Sequence, residues 1–180
     1  MKKKILIIHE ILQGGGAEKV LIDILKCFVY GKYDVTLLLI FNSGIYIKHI
    51  PQEVKVLTIF EDSISRIHYL CTKLSLFKFR NLYFKYLLKK LLKGLKFDTI
   101  VSFMEGYSCV MHSLIQEKGK RNISWVHTNL KINNWCINAF RSIEEQGSIY
   151  DKMDDIVFVS EGAHEAFNEI FDSQRNTIIY

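Results

Sequence analysis

The sequence is poor in the residues that mark several classes of protein. Among its 180 residues are one proline and ten glycines, and 49% of the chain is apolar, which is the composition of a folded globule. Its four cysteines are far apart, and neither a Cys-x-x-Cys pair nor a histidine cluster has the spacing of metal ligands. We therefore expect no disulfide framework and no metal or other cofactor, and a reducing compartment fits.

Long apolar runs are also missing. No stretch approaches the roughly 20 apolar residues that are needed to cross a bilayer. Residues 1–4 resemble the basic start of an export signal, but the apolar run that follows stops at His9, which is too short for export. The sequence predicts a cytoplasmic protein that forms one domain over residues 1–180.

Acidic residues are absent from one long segment of the chain. Residues 71–96 contain eight Lys or Arg and no Asp or Glu; the whole chain has a net charge of +5, so the remainder carries −3. At helical spacing, five lysines fall on one stripe: Lys78, Lys85, Lys89, Lys93 and Lys96. The opposite side is apolar and comprises Phe84, Leu87, Leu88, Leu91 and Leu95.

A basic amphipathic helix of this kind is typical of elements that lie on an anionic membrane surface. In the simpler alternative, the apolar side packs against the rest of the protein and the lysines only face water. Nucleic acid could also attract the lysines. No motif that reads RNA or DNA accompanies them, so we do not expect a nucleic-acid partner.

Short apolar runs alternate with longer helical patterns along the whole chain. The predicted strands cover residues 4–8, 34–41, 54–60, 98–103, 122–127, 155–160 and 177–180. The predicted helices cover residues 17–28, 64–95, 107–117, 135–151 and 162–171. Runs such as residues 35–40 are apolar on both faces, as strands between two helical layers must be. The alternation predicts an α/β fold with a Rossmann-like, doubly wound parallel sheet in a three-layer α/β/α arrangement.

A run of three glycines separates the first strand from the first helix. Gly14, Gly15 and Gly16 lie where free backbone N–H groups and the positive end of the helix dipole favour an anion. The run lacks the Lys-Ser/Thr ending of a P-loop, and Lys19 stands where a dinucleotide fingerprint has its third glycine. A plain tight turn is the alternative. The glycines favour a phosphate-bearing ligand.

Polar residues follow several of the predicted strands. His9, Glu105, His127 with Thr128, and Ser160 each come at or just after a strand end. Ligands of open parallel sheets bind beyond the carboxyl ends of the strands, so these residues are expected around one crevice. Purely structural alternatives remain: His127 could bond a neighbouring carbonyl, Glu105 could cap the helix that follows it, and Ser160 could be a helix N-cap.

Together, these motifs resemble the N-terminal half of a bacterial GT-B glycosyltransferase. The matching segments are the first strand with the glycine run and residues 17–21, then Trp-Val-His-Thr at 125–128, then Phe-Val-Ser-Glu at 158–161. The most similar group is the retaining family 4, which includes capsular and other surface-polysaccharide enzymes. The resemblance extends over nearly the whole chain.

The resemblance implies a division of labour between two facing Rossmann-like domains. This half would bind the acceptor, and a C-terminal domain, which these 180 residues lack, would hold most of the nucleotide-sugar donor. Gly14, Gly15, Gly16 and Glu18 would meet the donor diphosphate or its sugar. His127 would act catalytically beside the reacting sugar.

The remaining site residues would belong to the acceptor: His9, Glu105, Thr128 and Ser160. A lipid-linked saccharide acceptor would explain the basic helix and place the protein at the inner face of the plasma membrane. Without its second domain, the chain is expected to be inactive.

Two other functions remain open. A non-catalytic module could bind an anionic membrane or a partner protein through the basic helix. A dinucleotide oxidoreductase would need an acidic residue after the second strand, and residues 41–44 offer none.

Overall fold

A parallel sheet forms the centre of the molecule. The computed structural model describes residues 1–61, 77–171 and 176–179, and within them the sheet has seven strands. These are β1 (Lys3–His9), β2 (Tyr33–Phe41), β3 (Lys55–Phe60), β4 (Phe97–Ser102), β5 (Gly119–Val126), β6 (Asp155–Phe158) and β7 (Asn176–Ile178). All seven were predicted to within a few residues.

The strand order creates a crevice beside β1. The order is β3-β2-β1-β4-β5-β6-β7, and every neighbouring pair is parallel. The chain moves outward from β1 to β3 and then returns to pair β4 with the other side of β1, with Ile8 opposite Ser102. In such a sheet the ligand site lies at the carboxyl ends of the two strands at the reversal. The predicted Rossmann-like fold is confirmed.

Helices cover both faces of the sheet. They are α1 (Gly16–Cys27), α2 (Phe77–Leu91), α3 (Tyr107–Ser113), α4 (Ile143–Tyr150) and α5 (Glu161–Phe171). Alternate residues of β1 point to opposite layers: Ile7 packs in one cluster with Leu21 of α1, whereas Ile8 packs in another with Leu88 of α2. This alternation is why the central strands are apolar on both faces. Among the described residues, no helix is both long and apolar enough to span a membrane.

Two predicted helices differ from the structure. The helix predicted over 135–151 is replaced by a short 3-10 turn at Ile137–Ala139 and by α4. The reason is an N-cap at Ser142: its hydroxyl accepts from the Glu145 amide, and the Glu145 carboxylate accepts from the Arg141 amide just before the helix. Of the helix predicted over 64–95, residues 64–76 lie outside the described residues, and α2 accounts for 77–91.

A buried polar network joins β4, β5 and α3. The ring of His112 contacts the Ser102 hydroxyl at 3.1 Å and the Asn122 side-chain oxygen at 3.0 Å. His112 is fully buried, and burial lowers its pKa to about 4. The imidazole is therefore neutral near pH 7 and fixes the register of the two strands behind the crevice.

Candidate functional site

A cleft of about 220 Å³ opens at the carboxyl ends of β1 and β4. Its walls comprise His9, Glu10, Ile11, Glu18, Met104, Glu105 and Trp135. Three of these residues, His9, Glu18 and Glu105, were predicted as site residues. The strand reversal therefore brings them together, as the topology requires.

The loop after β1 is held rigidly by the loop after β2. The Leu12 amide donates to the Ser43 carbonyl at 3.1 Å, and the Tyr46 amide donates to the Leu12 carbonyl at 3.2 Å. Gly44 makes this contact possible, because its φ of +122° suits glycine and a Cβ there would overlap the Leu12 carbonyl. The glycine run that follows Leu12 thus starts from a fixed position.

The glycine run caps the N-terminus of α1 and is open to solvent. Gly15 is the N-cap, and Gly14, Gly15 and Gly16 are all exposed. Two side chains lie against this turn: a Cβ on Gly14 would be 3.0 Å from Ile45 Cδ1, and a Cβ on Gly15 would overlap the Glu18 carboxylate. That carboxylate interacts favourably with the helix dipole in the first turn. An anion at this helix N-terminus would therefore meet the negative charge of Glu18 nearby.

Glu105 fixes the chain after β5. One carboxylate oxygen accepts three hydrogen bonds, from the His127 amide at 2.8 Å, the Thr128 amide at 2.7 Å and the Thr128 hydroxyl at 2.7 Å. Glu105 is 1% exposed, and its other oxygen has no hydrogen-bond partner among the described residues. Gly106, not Glu105, is the N-cap of α3, so the capping alternative for Glu105 is wrong.

Two histidines lie on either side of Phe103. The ring centroid of Phe103 is 6.0 Å from that of His9 and 5.0 Å from that of His127. Burial, and then the charge of His127, lower the pKa of His9 to about 4. Burial also lowers the pKa of His127, and the negative charges of Glu105 and Glu18 oppose that shift. Both imidazoles are thus held towards their neutral forms.

Unpartnered nitrogens are found on both rings. Within the described part of the chain, Nδ1 of His9 and Nε2 of His127 are buried without a hydrogen-bond partner. His127 does not line the cleft itself, but its ring interacts electrostatically with His9, Glu18 and Glu105, which do. Its assignment as the catalytic residue stays a prediction.

The cleft is acidic. Glu10, Glu18 and Glu105 line it, and its described lining residues include neither Lys nor Arg. Burial raises the pKa of Glu10, because a half-buried carboxylate loses hydration. Such a lining suits hydroxyl donors better than phosphate groups.

Two predicted acceptor residues have hydroxyls that are already bonded. Ser160 is exposed and does not line the cleft; its Oγ accepts from the Ala163 amide at 3.2 Å at the start of α5. The N-cap alternative therefore accounts for Ser160. The Thr128 hydroxyl is engaged by Glu105. An acceptor role for either residue stays a prediction.

Four residues that line the cleft were not predicted from the sequence: Glu10, Ile11, Met104 and Trp135. Glu10 directly follows His9 at the end of β1, and that position was the available signal. Trp135 is 41% exposed and lies in the irregular segment after β5, where a helix was predicted. Its only sequence signal is its place in a polar run after a strand end.

The predicted lysine stripe is only partly correct. Lys85 and Lys89 are exposed on α2, and Lys78 is in α2 although its side chain lies outside the described residues. Lys93 and Lys96 lie beyond the end of α2 at Leu91, because a turn at residues 92–94 ends the helix, and Lys96 Nζ donates to the Glu117 carbonyl at 2.7 Å.

Arg80, one of the eight basic residues, is buried. It is 4% exposed, and its Nη2 donates to the Ala139 carbonyl at 2.6 Å. Its guanidinium also lies over the Tyr107 ring, 5.3 Å from the centroid. Arg80 therefore ties α2 to the segment that carries Trp135 and does not contribute to the basic surface.

The two sides of α2 are both partly apolar. Phe84, Leu88 and the following Leu92 pack in the core, as the simpler alternative for this segment expected. Phe79, Leu82 and Tyr86 are 67%, 65% and 63% exposed, at positions that share the outer side with Lys85 and Lys89. The outer side of α2 is defined here by these five residues.

Comparison with models of known protein families and with curated proteins finds no match. Solved structures of similar fold do exist. The apo form of the lipopolysaccharide outer core galactosyltransferase WaaB superposes with a TM-score of 0.65 at 18% identity, over 99% of this chain and 45% of that chain. Anabaena HepE in complex with UDP and glucose superposes with a TM-score of 0.61 at 18% identity, over 99% of this chain and 44% of that chain.

A third structure, TcCGT1 in complex with UDP, gives a TM-score of 0.56 at 11% identity, over 100% of this chain and 51% of that chain. The chain thus spans about half the length of these proteins or less. Its fold is that of the matching part of each of these structures.

Proposed function

We propose that this chain is the acceptor-binding half of a GT-B glycosyltransferase that uses a nucleotide-sugar donor. The observation that carries the proposal is the cleft at the strand reversal, where Glu105 and His9 present unpartnered buried polar atoms beside an open glycine turn. The fold supports it, since WaaB is described as a galactosyltransferase and HepE was solved with UDP and glucose.

Each part of the site has a role in this proposal. Sugar transfer needs stabilisation of the departing nucleotide diphosphate, and main-chain amides at Gly15 and Gly16 can supply it without a metal ion. The Glu18 side chain rotates away from Gly15 when the diphosphate arrives, because the two negative groups compete for one space.

The acceptor lies on the other side of Glu18, in the cleft. Glu105 accepts a hydrogen bond from one of its hydroxyls, His9 forms a hydrogen bond with another, and Nε2 of His127 orients the reacting sugar or hydroxyl. A retaining outcome, a family 4 relationship, and a lipid-linked acceptor in surface-polysaccharide synthesis are the finer parts of this proposal.

The test is transfer and hydrolysis of UDP-sugars, by this chain alone and by this chain joined to a C-terminal nucleotide-binding half. We expect no activity from the chain alone and acceptor-dependent transfer by the joined protein. Gly15→Val and His127→Ala should each lower transfer by about 100-fold, the scale of one lost transition-state contact.

Matched controls exist in the chain. Gly31 has open space around its Cα, and His49 is exposed, so Gly31→Val and His49→Ala should leave transfer unchanged. Full transfer in Gly15→Val and His127→Ala would show that the site is wrongly assigned. Absence of transfer from every UDP-sugar tried would contradict the function.

We further propose that the outer side of α2 docks on an anionic membrane, at the inner face of the plasma membrane. Lys85 and Lys89 contribute about 1 kcal/mol each near an anionic surface. Phe79, Leu82 and Tyr86 lie beside them with exposed apolar area that the interfacial region can bury. Attachment by so few residues is reversible.

Sedimentation with vesicles tests this second proposal. Binding to anionic vesicles should fall with added salt and be lost in Lys85→Glu/Lys89→Glu, whereas neutral vesicles should not bind. Lys48→Glu/Lys55→Glu is the control, since both lysines are exposed on other parts of the chain. Equal loss in the two double variants would mean that net charge, and not this surface, is responsible.

A further inference from the structure

The cleft has the size of one sugar ring. Its volume of about 220 Å³ is below the roughly 300–1,000 Å³ of sites that enclose a whole drug-sized ligand. A complete nucleotide sugar therefore does not fit, but one monosaccharide unit does. The mouth opens beside the glycine turn, because Glu18 belongs to both features.

The wall of the cleft includes one aromatic ring. Trp135 keeps 41% of its area exposed, and its ring is held near Gly106, where an added Cβ would lie 3.5 Å from the indole Cη2. The axial C–H groups of a pyranose form an apolar face with partial positive charge. Such a face is attracted to the electron-rich face of an indole.

The cleft also contains hydrogen-bonding groups that lack partners. Glu105 and His9 are each 1% exposed, yet Oε2 of Glu105 and Nδ1 of His9 are unpaired among the described residues. A buried polar atom without a partner costs free energy, and a ligand hydroxyl that reaches it removes that cost. Both side chains line the cleft, and each atom has almost no accessible surface, so a ligand hydroxyl reaches it when the cleft wall shifts slightly.

The charge of the lining limits what that ligand can be. One oxygen of Glu105 accepts three hydrogen bonds, and an ionised carboxylate is the form that only accepts hydrogen bonds. Glu10 and Glu18 add two more acids, and no described lining residue supplies a positive charge. A carboxylate or phosphate on the ligand would meet like charge in a partly desolvated space.

We propose that this cleft is a subsite for a single acceptor sugar, in which Trp135 stacks on an uncharged or amino pyranose and the carboxylates exclude acidic sugars and sugar phosphates. The inference rests on the proposed function, which it deepens by naming the acceptor class. Trp135 is the specificity-determining residue for ring stacking, and Glu18 and Glu105 determine charge selection.

Binding is measured directly by fluorine NMR of the 180-residue chain labelled with 5-fluorotryptophan. The sequence has two tryptophans, so two signals are expected, and Trp135→Phe assigns them. The probes are methyl glucoside, the methyl glycoside of glucosamine, and methyl glucuronide. We expect the first two to move the Trp135 signal and the glucuronide to bind about tenfold more weakly or less.

Variants separate stacking from charge. Affinity for methyl glucoside is measured by titration, from the changes in the backbone amide NMR chemical shifts. Trp135→Ala should lower this affinity about tenfold, whereas Trp135→Phe should retain it because phenylalanine keeps a flat ring. Ile132→Ala is the control for loss of an exposed apolar residue in the same segment. Glu18→Gln should reduce the difference in binding affinity between methyl glucoside and methyl glucuronide.

The outcomes also separate this inference from the proposed function. Equal binding of glucuronide and glucoside, or a Trp135 signal that no glycoside moves, overturns the subsite. If the joined protein transfers sugar but Trp135→Ala leaves the acceptor KM unchanged, the subsite is wrong while the function stands. If glycosides bind at Trp135 but no UDP-sugar is used, the function is wrong while a saccharide site remains.

Discussion

Glu105 offers the sharpest test of how the site is held together. In Glu105→Ala, two backbone amides, of His127 and Thr128, and the Thr128 hydroxyl lose their common acceptor. A hydrogen bond to a charged group contributes about 1.5–3 kcal/mol, and three bonds on one oxygen are weaker than three separate ones. Removal of the unpartnered second oxygen offsets part of the loss.

The expected decrease in the free energy of unfolding is about 2–4 kcal/mol for Glu105→Ala, measured by urea denaturation. Glu105→Gln keeps one oxygen acceptor and should lose only about 1 kcal/mol. Thr128→Val removes one of the three bonds and should also cost about 1 kcal/mol. Glu117→Ala, at an exposed position, is the control and should stay within about 0.5 kcal/mol of the parent.

Two results would contradict this role of Glu105. If Glu105→Ala is as stable as the control, the three hydrogen bonds do not hold the chain after β5. If Glu105→Gln is as unstable as Glu105→Ala, the acceptor geometry is not what matters. In either case the placement of His127 beside the cleft would lose its support.

Three further perturbations follow from the structure. Gly44→Ala should lower the free energy of unfolding by about 1–3 kcal/mol in urea melts, because φ is +122° there and the new Cβ overlaps the Leu12 carbonyl; Gly31→Ala should not. Ser142→Ala should cost about 1 kcal/mol by the same measurement through the lost α4 cap, and no change would argue against that cap. His9 and His112 have folded pKa values of about 4 against 6.5 unperturbed, so the unfolded state binds more protons between these pH values. Stability should therefore fall as pH drops from 7.5 to 5, on the order of 2 kcal/mol per histidine, and a flat profile over that range would contradict their neutral burial.

The sequence predicted the sheet well because its strands are short, apolar and separated by clear helical patterns. The parallel order then placed His9 and Glu105 at one edge without further information. Glycines 14–16 were located at the start of α1 for the same reason. These features depend on periodicity and topology, which a sequence displays directly.

Side-chain placement could not be read in the same way. Nothing in the order of residues shows that the Glu18 carboxylate folds back over Gly15, or that Glu105 binds the amides after β5. Trp135 was missed because its segment has a helical pattern that the Ser142 cap interrupts. Ser142 and Glu145 have the spacing of a helix N-terminus, but the apolar periodicity of residues 135–151 predicts one uninterrupted helix.

The basic segment shows a third limit. Net charge correctly identified α2 as a basic helix, but helical spacing was extended past the turn at residues 92–94, which removes Lys93 and Lys96 from the stripe. Burial of Arg80 against the Ala139 carbonyl depends on a contact 59 positions away in the chain. Such contacts follow from tertiary packing and not from local pattern.

The proposed function is tested most directly by UDP release from a UDP-sugar, measured with increasing neutral glycoside on this chain joined to a nucleotide-binding half. Release should rise with the glycoside, saturate, and fall by about 100-fold in His127→Ala. Release that is independent of the glycoside, or unchanged in that variant, would contradict the proposed function.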